Sequence, residues 1–240
     1  MAVSTRKNEY HKKYPYPRNN HRRGFLRSGI ALAAGLVLDY KLEGIENLPK
    51  EGPLLIVANH FHFLDTIGPI HATRYSLELI SDSEMPNAPG IFKVLPTIWG
   101  TLPITQGKAN LEAIRAAEAI LEQKGVLAIF PEGHVHKPPL TDPLPGAAFL
   151  ALRLGVPIVP IGSYSEDNWD IFGTILKKRR LARAVTRIGK PFGPLMNEGQ
   201  AAVPSRDDVK RAGQEIMEQI ARTLPEEYRG KYLQENAESS

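Results

Sequence analysis

Residues 59–65 read Asn-His-Phe-His-Phe-Leu-Asp, and the apolar run Leu54-Leu55-Ile56-Val57 leads straight into them. An imidazole and a carboxylate this close behind a buried strand admit three readings. His60 can be a proton acceptor whose tautomer Asp65 fixes. Such a pair suits removal of a hydroxyl proton at neutral pH, because an unperturbed imidazole titrates near pH ~6.5. The histidines can instead be metal ligands, or Asp65 can cap a helix with the histidines incidental. In a regular helix the five-residue offset would put His60 and Asp65 on different faces. The first reading therefore needs a turn between them.

A second polar turn follows the apolar run Val126 to Phe130: Phe130-Pro131-Glu132-Gly133-His134. Glu132 could bind a hydroxyl or orient a backbone, and Gly133 allows a positive φ or a close approach. An ordinary β-turn with Pro and Gly is the plainer reading. The chain also holds His-x-His twice, at 60/62 and 134/136. On a strand each pair shares a face, which suggests a zinc hydrolase. The spacing His60-x-His62-x-x-Asp65 differs from the His-x-His-x-Asp usual there, so no metal is expected. The absence of cysteine removes disulfides, thiolate metal sites and a Cys nucleophile.

Positioning these turns requires a sheet. Short apolar runs at 40–44, 54–58, 76–81, 101–105, 126–130, 157–162 and 182–188 read as strands. Between them, 65–75, 90–99, 109–123 and 146–154 read as helices. Val209, Ala212, Ile216 and Ile220 line one face of a C-terminal helix. The alternation predicts one α/β domain with a largely parallel or mixed sheet flanked by helices. Two polar strand ends would then share one rim, where sites of such sheets form.

These stretches, in this order, resemble the glycerolipid acyltransferase family, typified by 1-acylglycerol-3-phosphate acyltransferases. Asn59, His60 and Asp65 match its first block, Phe130 to His134 its third, and Val156-Pro157-Ile158-Val159-Pro160 its fourth. Gly100 to Gln106 occupies its second. The likeness runs from about Asp39 to Tyr232. It implies that His60 is a general base oriented by Asp65, and that the acceptor hydroxyl attacks the thioester of acyl-CoA or acyl-carrier protein. No cofactor is implied. Asn59, Gly100, Gln106, Lys108, Glu132, Gly133 and His134 become the candidate substrate contacts. Three positions depart from the pattern. Gln106 stands where the family has a phosphate-binding Arg and cannot form a bidentate guanidinium pair, though Lys108 offers a point charge. His134 replaces Thr, and Pro145 replaces a basic residue. The implied acceptor is a lysophospholipid or related glycerolipid, not necessarily lysophosphatidate.

Charge is uneven over the 240 residues. Residues 1–28 hold eight Lys or Arg against one Glu, leaving 22 basic against 25 acidic residues beyond. The basic character belongs to an arm, which disfavours nucleic acid as a partner. The apolar stretch Ser28 to Leu38 follows. Eleven helical residues span roughly 16 Å, half a hydrocarbon core, so it would lie in a membrane interface with the arm on anionic headgroups. A core-packed helix behind a loose tail is the alternative. Arg22-Arg23 before an apolar run resembles an export signal, yet no cleavage site follows it. The expected organisation is an arm and interfacial helix over 1–38, an acyltransferase domain over 39–232 and a disordered tail over 233–240. The domain would sit peripherally on the cytoplasmic face of a membrane, where thioester donors are found. A non-catalytic membrane-binding module of the same fold is the rival reading. Lys177-Lys178-Arg179-Arg180 could bind phosphates or simply be solvated, and Trp169 and Phe172 could line an acyl pocket, with core packing the plainer reading.

Overall fold

The computed structural model describes residues 9–82, 90, 93, 95–104, 111–197 and 203–232. Seven strands form one mixed sheet: β1 (Leu38–Glu43), β2 (Leu54–Ala58), β3 (Glu78–Asp82), β4 (Leu102–Ile104), β5 (Val126–Ile129), β6 (Ile158–Ser165) and β7 (Ala182–Ile188), in the order β1-β7-β6-β2-β5-β3-β4. The run β6-β2-β5-β3-β4 is parallel throughout. β7 turns back antiparallel on β6, and β1 is parallel to β7. The three central strands are buried at every position. That is why β2 and β5 read as unbroken apolar runs with no alternation.

Strand direction decides which turns meet. The C-terminal ends of β2, β5 and β6 and the N-terminal ends of β7 and β1 lie on one rim. Residues 59–65, 130–141, 166–170 and 180–183 therefore share it.

Both faces are covered. Helices α4 (Leu111–Glu122), α5 (Pro145–Leu154) and α6 (Arg206–Ala221) bury Ala116, Ile120, Leu150, Ile216 and Ile220 against Leu55, Val57 and Leu127. On the other face lie α1 (Asn20–Val37), α2 (Ile67–Ala72) and α3 (Leu95–Trp99), with Ile70, Ala72 and Trp99 against Leu54, Ile56 and Ala58. Period-2 alternation places neighbouring β2 residues on opposite faces. Gly68 of α2 rests on β6 and β7, where a Cβ would collide with the Ser163 and Thr186 hydroxyls. That contact seats α2 flat on the sheet.

The arm departs from expectation. The apolar helix is not the eleven residues from Ser28 but eighteen, and a further helical turn at 9–13 precedes it. The arm is strapped to the domain. Arg23, 2% exposed, pairs with the fully buried Glu78 through both guanidinium nitrogens, at 2.5 and 2.8 Å, and Arg18 joins the same carboxylate. Tyr10, Lys13 and Tyr14 all converge on Glu112. Carboxylates of the domain hold Lys13, Arg18 and Arg23. The helix expected at 65–75 is a 3₁₀ turn, Phe63–Thr66, followed by α2, which ends at Ala72. Pro69 fits the opening turn of α2, where its missing N–H costs nothing. Among the described residues no helix is long and apolar enough to cross a membrane. The tail 233–240 lies outside the described residues.

Candidate active site

The turn after β2 is built from its ends. Asn59 is fully buried and clasps β6: its Nδ2 donates to Ser163 O at 2.8 Å and its Oδ1 accepts from Ser163 N at 2.7 Å. This closes two backbone groups on the neighbouring strand and fixes where β2 stops. At the far end His62 and Asp65 form a reciprocal cap. Asp65 Oδ2 accepts from His62 N at 2.7 Å, and His62 Nδ1 accepts from Leu64 N at 3.3 Å. A histidine takes the place of Ser or Thr in this capping box.

His60 is held mainly through its backbone. Its N–H donates to Glu132 Oε2 at 2.9 Å, and its carbonyl accepts from His136 N at 3.1 Å. The ring lies 4.3 Å from that of Phe130 at 23°, a stacked contact. Burial lowers its pKa to about 4, with Glu132 opposing. At neutral pH the imidazole is unprotonated, the form a base requires.

The expected bond between His60 and Asp65 is absent. Asp65 is fully buried, and its second oxygen, Oδ1, has no hydrogen-bond partner; nor has His60 Nδ1. Burial raises the Asp65 pKa well above the ordinary carboxylate value, opposed by the amides of His62 and Phe61. The capping duty that competed with proton transfer in the sequence is the one the carboxylate performs. Two buried polar atoms in one seven-residue turn are left unmatched, an expensive arrangement that usually marks a functional place.

Glu132 is the hinge of the rim and is fully buried. Besides His60 N, it accepts from Thr141 N through Oε1 at 3.0 Å and pairs with His136 Nε2 at 2.6 Å. His136 Nδ1 is spent on Lys137 O at 2.8 Å. Desolvation pulls the His136 pKa down, but Glu132 outweighs it and the net shift is upward. Nδ1 faces the Lys137 carbonyl and Nε2 the Glu132 carboxylate, a setting that favours the protonated ring. Gly133, at φ 74°, makes the tight turn that returns the chain toward it, with Gly133 N donating to Phe130 O at 3.0 Å. His134 is exposed, its ring 5.6 Å from that of His136.

The other candidates are scattered. Gly100 precedes β4 and so lies at the opposite end of the sheet from this rim; its carbonyl accepts from Arg18 and Arg23. Its conformation, φ 76°, serves that strap. Gln106 and Lys108 lie outside the described residues. Trp169 is half-buried and stacks on His62 at 5.6 Å and 11°. Phe172, expected in the core, is 78% exposed. Of the basic cluster, Lys178 and Arg180 both bind Asp167, at 2.6 and 2.7 Å. Among the described residues no three His, Asp or Glu side chains gather as a metal would need. The residue that sequence reasoning undervalued is His136. Its signal was the His-x-His spacing, weighed only as a metal motif.

A protein-family model described as Acyltransferase matches residues 39–164, more than half of the chain. Among curated proteins no match was found. Among solved structures, PlsC, the 1-acyl-sn-glycerophosphate (LPA) acyltransferase from Thermotoga maritima, matches at TM-score 0.54 and 19% identity, over 87% of this chain and 84% of that one. At that identity the likeness concerns the fold.

Proposed function

The chain belongs to the Acyltransferase family, and on that premise we propose that it moves a fatty acyl group onto a hydroxyl of a lysophospholipid or related glycerolipid. The donor is the thioester of acyl-CoA or acyl-carrier protein. His60 takes the hydroxyl proton, the oxygen attacks the thioester carbonyl, and the departing thiolate recovers the proton. The observation that carries this reading is an imidazole kept unprotonated by burial, on the rim, with its backbone clamped by Glu132 and His136.

Asp65 enters as the orienting acid. His60 Nδ1 and Asp65 Oδ1 are both buried and unpartnered. A proton shared between them answers both vacancies and leaves Nε2 to act as the base. We assign that pairing to the substrate-engaged state, since hydrogen bonds of catalytic groups often close only there. Asn59, Glu132 and Gly133 support the turn. Gln106 leaves the acceptor without a guanidinium clamp, so acceptors other than lysophosphatidate fit the site. The enzyme would work peripherally, on the cytoplasmic face of a membrane.

The unmade His60–Asp65 bond favours a second reading, a non-catalytic membrane-binding module of the same fold. Thioester-cleavage assays with a panel of lysolipid and glycerolipid acceptors, run with both donors, separate the two. We expect transfer to at least one acceptor and its loss, by about 10²–10⁴-fold, in His60→Ala. We also expect Gln106→Arg to improve lysophosphatidate use. Most activity surviving in a folded His60→Ala protein would remove His60 as the base. No transfer with any acceptor would leave the module.

A further inference from the structure

The chain leaving β6 crosses the rim at 166–170, and its backbone there is strained. Asn168, at φ 51°, and Trp169, at φ 58°, are left-handed in succession. Asn tolerates that region, but a side chain as bulky as tryptophan rarely enters it. Such a conformation survives only where its surroundings over-determine it, and it clusters at functional places. The surroundings of this pair do so on both sides. Asp167 is buried and accepts from Lys178 Nζ at 2.6 Å, from both terminal nitrogens of Arg180 at 2.7 and 2.8 Å, and from Arg183 N at 2.9 Å. Asp170 Oδ1 accepts from Gly173 N at 2.9 Å. Asn168 N and Asp170 N donate to Ser165 O and Asp167 O, at 3.1 and 2.9 Å. Between two pinned aspartates, the indole of Trp169 is turned onto the His62 ring, 5.6 Å away at 11°.

His62 organises the turn after β2. Its N–H donates to Asp65 Oδ2 at 2.7 Å, and its Nδ1 accepts from Leu64 N at 3.3 Å. An accepting Nδ1 carries no proton, in keeping with burial that lowers the pKa of this ring to about 4. A neutral imidazole therefore lies against the indole, an offset aromatic pair. Trp169 also packs against the small cluster of Ala34, Leu38, Ala182 and Ala184. It stands between the β1–β7 side of the sheet and the turn. A tilt of the His62 ring would break the Leu64 bond and loosen the reciprocal cap that holds the Asp65 carboxylate.

We propose that Trp169 is a positioning residue for acyl transfer: stacked on His62, it keeps the cap closed and so holds in one orientation the Asp65 carboxylate on which the His60 base depends. The inference rests on the acyltransferase reading and adds to it a residue outside the two polar turns. Trp169 acts through His62. The strained backbone at 168–169 pre-organises its ring, so the stack is in place before substrate arrives.

The test compares Trp169→Phe, which keeps a stacking ring, with Trp169→Leu, which keeps apolar bulk without one. Kinetics are measured with the acceptor the wild type uses best, below the melting temperature of either variant. We expect kcat near the wild-type value in Trp169→Phe, a fall of about tenfold or more in Trp169→Leu, and an unchanged KM for donor and acceptor in both. Hydrogen exchange of the His62 amide, the donor to Asp65, needs no turnover. It should quicken by about tenfold or more in Trp169→Leu and stay near wild type in Trp169→Phe. A role in packing alone would leave the two variants with the same kcat. Equal kcat in the two, a KM rise at unchanged kcat, or His62 exchange that leucine leaves unaltered would each overturn the proposal. In those cases the wild type still transfers and the acyltransferase reading stands. A wild-type chain that transfers to no acceptor instead fails that reading, and the role of Trp169 falls with it.

Discussion

The chemistry assigned to His60 rests on a proton balance that pH can interrogate. Burial lowers its pKa from 6.5 to about 4. A histidine with a depressed value is neutral above its folded pKa, and its contribution is lost as pH falls from the unfolded value through the folded one. The acid limb of kcat/KM should therefore lie below pH 6.5 and above about 4, moving up toward 6.5 to the extent that Asp65 pairs with it. A limb centred at or above 7 would contradict the burial of this ring. His136 has the opposite sign. Its pKa is raised, so its ion pair with Glu132 is complete below the unfolded value of ~6.5 and is lost as pH rises through the higher folded value. Glu132 serves four donors at once, the amides of His60 and Thr141, His136 Nε2 and the Thr141 hydroxyl at 3.4 Å, and a neutral amide cannot. Glu132→Gln turns an N–H toward one of them. We expect it to cost about 1–3 kcal/mol in urea unfolding and to lower kcat/KM, because the backbone of His60 loses its anchor. His134→Ala, on the exposed side of the same turn, should alter stability by no more than about 0.5 kcal/mol. Equal stability losses for the two variants would mean that Glu132 does not organise the rim.

At the scale of elements, the strap between arm and domain makes a sharp prediction. Glu78 neutralises Arg23 where neither sees solvent, and Arg23 also donates to Trp99 O at 3.0 Å. Removing the carboxylate strands a buried guanidinium. Glu78→Ala should then cost about 3–5 kcal/mol. Arg23→Leu should cost less, since Arg18 remains on Glu78, and a reversed order would place the energy elsewhere. This strap also marks where sequence reading stops. The strands were legible because apolar runs of four to eight residues report burial directly. β2 and β7 fall at 54–58 and 182–188 as expected, and the rim followed from two such runs ending in polar turns. The antiparallel return of β7 was not legible, because strand direction is settled by which neighbour accepts the hydrogen bonds. The strap was hidden for a similar reason. Glu78 and Arg23 are 55 residues apart, and an Arg-rich arm looks the same whether it is solvated or buried. Within the site, His60 and Asp65 were visible as a pair. Their partners, the amide of His62 and a buried vacancy, depend on a 3₁₀ turn whose onset spacing alone does not set.

For the whole molecule, the question is what an apolar helix does when only one side of it is used. Inward, α1 contributes Leu26, Ile30, Ala34 and Arg23. Outward, Phe25 is 81%, Leu32 68% and Leu36 70% exposed, at spacings of seven and four that put them on one stripe. Trp169 and Ile171 join the small core cluster of Ala34 and Leu38, so the segment that follows them adjoins this helix. That segment exposes Phe172 and Leu176, 78% each, beside Lys177. Exposed aromatic and aliphatic side chains edged by cations suit an interface between water and lipid, and an acceptor dissolved in a bilayer has to be met there. Three of the arm's eight cations, Arg18, Arg23 and Lys13, are spent on Glu78 and Glu112, which weakens charge as the attachment, so apolar insertion should dominate. Full-length protein should cosediment with vesicles of neutral lipid as well as with anionic ones, and raised salt should release little of it. Replacing Phe25, Leu32 and Leu36 together by Ser should abolish cosedimentation while leaving the urea midpoint nearly unchanged, since none of the three is buried. Activity toward a short-chain soluble acceptor should persist in that variant as activity toward vesicle-borne acceptor falls. If vesicle binding survives the triple change, or if salt alone eliminates it, the helix is not the docking element and the basic residues of the arm resume that role.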